Sequence, residues 1–200
     1  NPVKLSEIGG VTYFNGPHDV YVEGKYAYVT KYRPKYRLFT SSQYGLSVVD
    51  ISDPGNPTVA GYAGAGPNYS MSFIRKKGRY LFCGSHKPAT GFFIFDVSDP
   101  LFPSLVGHYF TDYLSYGYWF DWYGDYLVCS NSREKGGIDL LDVSDPANPT
   151  VVDSIVLCSP PVCIFVDGKF VFASIRRDED SKYYWRLAIL GITQGYTPPH

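Results

Sequence analysis

His18 and Asp19 are adjacent in the sequence and have the side-chain types most suited to chemistry. A histidine beside a carboxylate can act as a general base or bind a metal ion. On a β-strand, however, neighbouring side chains point to opposite faces, so the two groups cannot act together on one atom. We therefore expect a structural or ligand-binding role for this pair, with Asp19 bonded to main-chain groups.

The usual catalytic motifs are absent from the sequence. It contains no Gly-x-Ser-x-Gly elbow, phosphate-binding loop, dinucleotide fingerprint or His-Glu-x-x-His zinc motif. We expect no catalytic residue, no metal and no cofactor, so an enzyme is the least favoured class. A hydrolase or lyase would need a set of catalytic residues that assembles only in the folded chain.

Cys158 and Cys163 flank the segment Ser-Pro-Pro-Val. Two prolines favour a bend that would bring the thiols together, so we predict a disulfide between them, with two free thiols as the alternative. Asn68 begins an Asn-Tyr-Ser glycosylation sequon. The sequence begins at Asn1 without a leader, as would be expected for a processed mature protein or for an excised part of a larger one. These features predict an extracellular or cell-surface location.

Two segments rich in charge and tyrosine are candidate interaction loops. The first spans residues 31–37 and the second spans residues 176–185. The charged residues that we expect to carry the interaction are Lys31, Arg33, Lys35, Arg37, Asp178, Glu179 and Asp180. The cations and tyrosines of the first loop suit a sulfated or phosphorylated polymer or a sugar, and a solvated loop is the alternative. The opposite charges of the two loops would also allow pairing within one subunit or between two.

The composition bounds the class of protein. The 200 residues include 18 Lys plus Arg and 19 Asp plus Glu, giving a net charge of −1, and 18% of residues are aromatic. This balance lacks the basic character of a nucleic-acid binder. No apolar run approaches the roughly 20 residues that span a bilayer, so we expect no membrane insertion. The chain is long enough for one domain with a substantial core.

An internal repeat sets the architecture. The Asp-x-Ser-Asp-Pro segment at residues 50–54 returns at 96–100 and at 142–146, in both cases after 46 residues. Each copy follows a short apolar run that opens with glycine. A second element, glycine followed by a strand-like run, occurs four times and begins at Gly24, Gly78, Gly124 and Gly168. Short β-branched and aromatic runs between Gly, Pro and Asp are typical of strands.

The spacing predicts an all-β, four-bladed β-propeller with four antiparallel strands per blade, since units of 40 to 50 residues with four strands are typical of propeller blades. The predicted blades cover residues 17–64, 71–110, 117–157 and 162–193, and the last blade lacks its fourth strand. The segment Asn1-Pro2-Val3 matches the Asn-Pro that precedes other fourth strands, so we expect a strand at residues 1–10 to close that blade. Closure within one chain is favoured, and donation of the strand to a neighbour is the alternative.

The same repeat places three further residue pairs at positions equivalent to His18 and Asp19. They are Ser72 and Phe73, Tyr118 and Trp119, and Val162 and Cys163. These pairs supply no ring of metal ligands. Tyr118 and Trp119 lie in the densest aromatic stretch of the chain, so we add them to His18 and Asp19 as candidate ligand-binding residues.

The run Leu46-Ser47-Val48-Val49-Asp50-Ile51-Ser52-Asp53-Pro54 and its copies resemble the LVIVD repeat family of β-propellers. The resemblance covers nearly the whole chain, although the fourth copy departs from it at Gly191 and Gln194. It implies a propeller on the surface of, or secreted by, a bacterium or archaeon. The family has no agreed catalytic residues, so the resemblance transfers no active site.

Two functions fit these features. The first is a non-catalytic module that binds a protein or polysaccharide through tyrosine-rich and tryptophan-rich surfaces. The alternative is a structural subunit that assembles with copies of itself into an extracellular filament or surface layer. Near-neutral charge and loops of opposite sign favour self-assembly, because a contact that does not close on itself generates a filament.

Overall fold

The computed structural model describes residues 1–9, 16–31, 45–66, 71–85, 91–110, 119–131, 135–179 and 182–193. Within these ranges the chain forms β-strands and no helix. Accordingly, no helix in the described ranges is long and apolar enough to cross a membrane. The prediction of an all-β chain built from repeated antiparallel sheets is confirmed.

The strands form four sheets. Their bounds are β1 (Pro17–Glu23), β2 (Tyr26–Lys31), β3 (Gly45–Asp50), β4 (Thr58–Gly64), β5 (Met71–Lys77), β6 (Tyr80–Ser85), β7 (Phe92–Asp96), β8 (Ser104–Tyr109), β9 (Phe120–Tyr123), β10 (Tyr126–Asn131), β11 (Gly137–Asp142), β12 (Thr150–Val156), β13 (Pro161–Asp167), β14 (Phe170–Glu179) and β15 (Lys182–Gly191). Strands β1–β4, β5–β8 and β9–β12 each form a four-stranded sheet in sequence order, and β13–β15 form a three-stranded one.

The repeated turns have a local chemical cause. Gly24 and its three counterparts have φ near +55°, a left-handed conformation that glycine adopts without strain. In the Asp-x-Ser-Asp-Pro turn, Asp50 accepts a hydrogen bond from the Ser52 amide at 2.8 Å, and Asp53 accepts one from the Gly55 amide at 2.9 Å. The other two copies repeat both bonds. The aspartates of the motif therefore stabilise turns.

The chain divides into two compact units. The first comprises residues 1–86 and 92–107, and the second comprises residues 87–91 and 108–200. In the first unit, the β1–β4 sheet contributes Tyr28, Leu46 and Val48 to a core that it shares with Ile74 and Phe93 of the β5–β8 sheet. In the second unit, the β9–β12 and β13–β15 sheets share a core that includes Val128, Ile138, Ile164, Val171 and Ala173.

The N-terminal segment differs from the prediction. Residues 1–9 contain no strand, and the β13–β15 sheet has three strands within the described residues. The Ser6 hydroxyl donates a hydrogen bond of 2.5 Å to the carbonyl of Pro54, and Lys4 forms an ion pair with Glu7. Ile8 packs against the core of the β1–β4 sheet. These contacts place residues 6–8 beside the first sheet, and the described residues 1–9 do not confirm the closing strand predicted for residues 1–10.

The close approach of β11 to β12 requires glycine at position 137, where a Cβ would lie 2.0 Å from the carbonyl oxygen of Ile155. We predict that Gly137→Ala lowers the free energy of unfolding by about 2–3 kcal/mol, because the main chain of β12 must shift. Gly191→Ala is the matched control, since a Cβ there meets no atom within 4 Å. Urea denaturation of both variants checks the prediction, and equal stability of the two would contradict it.

Candidate functional site

His18 and Asp19 lie on β1 and contact the main chain of β5 in the same unit. The His18 Nδ1 atom lies 2.7 Å from the carbonyl oxygen of Ser72. Asp19 uses one carboxylate oxygen to accept a hydrogen bond of 3.0 Å from the Ile74 amide, and the other to accept one from the Val20 amide. Both side chains therefore link two neighbouring sheets through main-chain groups.

Asp121 performs the same task in the second unit. This residue of β9 accepts a hydrogen bond of 2.8 Å from the Val166 amide of β13, and its other oxygen accepts one from the Trp122 amide. The sequence comparison missed it because Asp19 lies five residues before its hairpin glycine whereas Asp121 lies three before. A search for an aspartate at any position in the first strand of each repeat would have identified Asp121 as a candidate.

Lys31 occupies a different environment from the one predicted. It ends β2, its side chain is only 1% exposed, and its Nζ atom lies 4.5 Å from the centre of the Tyr62 ring. Burial lowers the pKa of Lys31 to about 8 and raises the pKa of Tyr62 to about 12. Because β2 continues through this residue, Lys31 is buried in the first sheet and does not belong to an exposed interaction loop.

Several other candidates are only partly described. Arg33, Lys35, Arg37, Asn68, Tyr118 and Asp180 lie outside the described residues. The main chain of Asp178 and Glu179 belongs to β14 and pairs with Tyr183 and Lys182 of β15. Trp119 is half-buried and packs against the core of the second unit.

The predicted disulfide is not formed, and Cys158 and Cys163 are both exposed free thiols. The reason is that strand β13 already begins at Pro161, so Cys163 pairs with Ser174 of β14. Cys158 lies in the bend that precedes this strand. The two prolines therefore lead into an extended strand and do not fold the thiols together.

Asp139 forms the centre of a buried polar cluster that the sequence comparison did not identify. Its carboxylate is fully buried and accepts hydrogen bonds from the Asn131 amide at 2.7 Å and the Ser154 hydroxyl at 2.6 Å. The Tyr109 hydroxyl donates a longer one of 3.4 Å. Buried carboxyl groups persist where hydrogen-bond donors surround them, and this cluster joins β10, β11 and β12 to Tyr109 at the end of β8. The equivalent position is Ser47 in the first repeat and Phe93 in the second. Because the acidic residue does not recur, comparison of the repeats could not predict the cluster.

The second unit also contains an apolar cleft with a volume of about 170 Å³. Strands β10, β11 and β12 form one side, and strands β14 and β15 with the two residues after β15 form the other. Its apolar lining residues are Val128, Ile138, Leu140, Ile155, Val171, Leu190 and Ile192. Within the described residues, no group of three or more His, Cys, Asp or Glu could hold a metal ion. This part of the chain therefore offers an apolar binding volume.

A large part of the chain matches one family model, that of the LVIVD repeat, at residues 17–32, 39–63, 76–111 and 123–156. No curated protein matches the sequence. The crystal structure of the computationally designed Ika4 protein is similar, with a TM-score of 0.62 at 9% identity, over 96% of this chain and 100% of that one. A Bacteroides fragilis protein assigned provisionally as a 6-phosphogluconolactonase has a TM-score of 0.42 at 12% identity, over 86% and 69% of the two chains.

The buried Lys31 predicts a pH dependence of stability. Its pKa in the folded chain is below that of an unfolded lysine, so the unfolded state binds more protons between these two values. We expect the unfolding free energy of the wild type, relative to Lys31→Met, to rise by roughly 2 kcal/mol from pH 8 to pH 10. Tyr62 titrates in both proteins, so its contribution cancels in the difference. Denaturant titrations across this range check the prediction. A constant difference between the wild type and Lys31→Met across this range would contradict it.

Proposed function

This chain belongs to the LVIVD repeat family, and from that premise we propose that it is a secreted or cell-surface β-propeller acting as a non-catalytic interaction module. Its partner is a protein or a polysaccharide. The observation that carries this proposal is the exposed aromatic arm at the end of the fourth sheet. The arm is the hairpin of β14 and β15, each ten residues long, whereas the other strands have four to seven residues.

The propeller itself is part of the proposal. We propose that the four sheets are the blades of one ring and that residues 1–10 supply the fourth strand of the last blade. The similarity of fold to the designed Ika4 protein over nearly the whole of both chains supports a repeated-sheet architecture of this size. Support for the closing strand comes from Asn1-Pro2, which matches the Asn-Pro before β4 and β12, and from β15, which is an edge strand of its sheet within the described residues.

The arm has the composition of a binding surface. Trp185 is 64% exposed and Tyr184 is 44% exposed, on opposite faces of β15. Aromatic side chains of this kind provide large contact areas at low cost in conformational entropy, and they stack on sugar rings and protein surfaces alike. The exposed guanidinium of Arg186 adds a hydrogen-bond donor to the same arm.

The roles of the polar residues support a non-catalytic module. The carboxylates of Asp19, Asp121 and Asp139 accept hydrogen bonds from main-chain amides or from neighbouring side chains. A general base must reach a substrate proton, whereas Asp19 and Asp121 are held by main-chain amides of the sheets and Asp139 is fully buried. Groups that already link strands serve the fold, which leaves the exposed surfaces to carry the function.

We expect Trp185→Ser to abolish binding to a partner that the wild-type chain selects from a glycan array or a panel of purified surface proteins. The indole supplies most of the contact area of the arm, so its loss costs at least about tenfold in Kd. Phe110→Ser, which removes another exposed aromatic residue, is the control and retains binding. Binding by Trp185→Ser with unchanged Kd would contradict the role of the arm.

A second candidate function is self-assembly into a filament or surface layer, and a separate observation favours it. Strand β15 has no partner on its outer edge within the described residues, and Leu187 and Ile189 are exposed on one of its faces. Open edges and apolar faces of this kind promote association between chains. Light scattering decides this function: particles much heavier than one 22.4 kDa chain support it, and a monomer at high concentration rejects it.

A further inference from the structure

The turn after β7 carries an exposed apolar knob formed by Leu101 and Phe102. The Phe102 side chain is 79% exposed, the highest value among the large apolar side chains of the described residues. The equivalent position is Asn56 in the first repeat and Asn148 in the third. An exposed phenylalanine where the sister turns carry a polar residue indicates a contact surface, because the turn itself does not require the ring.

The knob is rigid. The Asp99 side chain accepts a hydrogen bond from the Leu101 amide at 3.0 Å, and the Asp99 carbonyl accepts one from the Phe102 amide at 3.1 Å. The turn also lies directly against Gly61 of β4, where a Cβ would come within 2.5 Å of the carbonyl oxygen of Pro100. Docking of the knob therefore orders little main chain, and the entropy cost falls on the Leu101 and Phe102 side chains.

The apolar cleft of the second unit has the size of an aromatic ring. Its volume is about 170 Å³ and its lining is mostly Val, Ile and Leu. In another protein, an apolar cavity of about 150 Å³ stays dry and binds benzene, so a cleft of this volume is suited to one phenyl group. Asp153, Ser154 and Thr193 add polar groups to the lining, as is usual around an apolar anchor site.

We propose that the cleft binds the Phe102 ring of a second copy of this chain. One chain carries both the knob and the cleft, on different units, so each copy offers one of each to its neighbours. A contact between two different surfaces is heterologous and propagates from copy to copy. This inference rests on the proposed self-assembly function and names the contact that produces it.

The test compares particle mass for the wild type and three variants by light scattering, with negative-stain images of the same samples. Phe102→Asn removes the knob and introduces the residue of the sister turns, so it keeps the turn intact. Ile155→Trp fills the cleft from a half-exposed position on β12. Phe110→Ser removes an exposed ring outside the knob and is the control. Circular dichroism verifies that each variant is folded.

We expect the wild type and Phe110→Ser to form large particles. Phe102→Asn and Ile155→Trp should remain monomers at concentrations at least about tenfold above the one at which the wild type assembles. A loss of this size is expected when an anchor residue of a contact is removed. An equal mixture of these two variants should form a dimer and nothing larger, because only one intact knob and one intact cleft can meet in each pair. The mixture tests the contact between knob and cleft directly, because its dimer forms only if both variants are folded and their two intact surfaces bind each other.

The outcomes separate the inference from the function on which it rests. If Phe102→Asn assembles like the wild type, the knob contact is wrong and self-assembly stands through another surface. If the wild type is a monomer at high concentration, both are wrong. If the cleft binds benzene while the particle mass does not depend on Phe102, the cleft serves a small aromatic ligand and the proposed contact is also wrong.

Discussion

The sheets of this protein carry apolar side chains on both faces, and burial of those faces is the main source of their stability. The four consecutive residues Phe92, Phe93, Ile94 and Phe95 of β7 are each at most 1% exposed. Because neighbouring side chains of a strand point to opposite faces, both faces of this sheet are covered. The β13–β15 sheet has one covered face, and its other face exposes Phe165, Leu187 and Ile189. The remaining features of the molecule follow from the need to cover such faces.

Polar groups serve the same requirement between sheets. Asp19 and Asp121 each accept a hydrogen bond from a main-chain amide in the first strand of the next sheet. The donors are Ile74 of β5 and Val166 of β13. Such bonds fix the separation of two sheets while satisfying amides that the ladder leaves unpaired. The repeated Asp-x-Ser-Asp-Pro turns reverse the chain direction between the third and fourth strands. Their aspartate side chains accept hydrogen bonds from amides of the same turn. The proposed functions use features that do not repeat, which are the long β14–β15 arm, the Phe102 knob and the apolar cleft.

The sequence predicted the strands and turns well because their causes are local. Hairpin glycines with left-handed φ and aspartates that bond their own turns recur at constant spacing, so one copy predicts the next. Contacts between distant segments left no such signal. The burial of Lys31 against Tyr62, the polar cluster around Asp139 and the role of Asp121 depend on which side chains meet across strands and sheets. The Cys158–Cys163 disulfide was wrong because strand pairing from Pro161 overrides the bend that two prolines favour.

We propose that the N-terminal segment completes the fourth sheet, and amide hydrogen exchange of β15 tests this central claim most directly. We predict that the β15 amides that do not pair with β14 exchange slowly in the full chain. In a variant that lacks residues 1–9 the same amides should exchange rapidly, because their partners are gone. Rapid exchange in both proteins would contradict the account, since β15 would then be an open edge in the native chain.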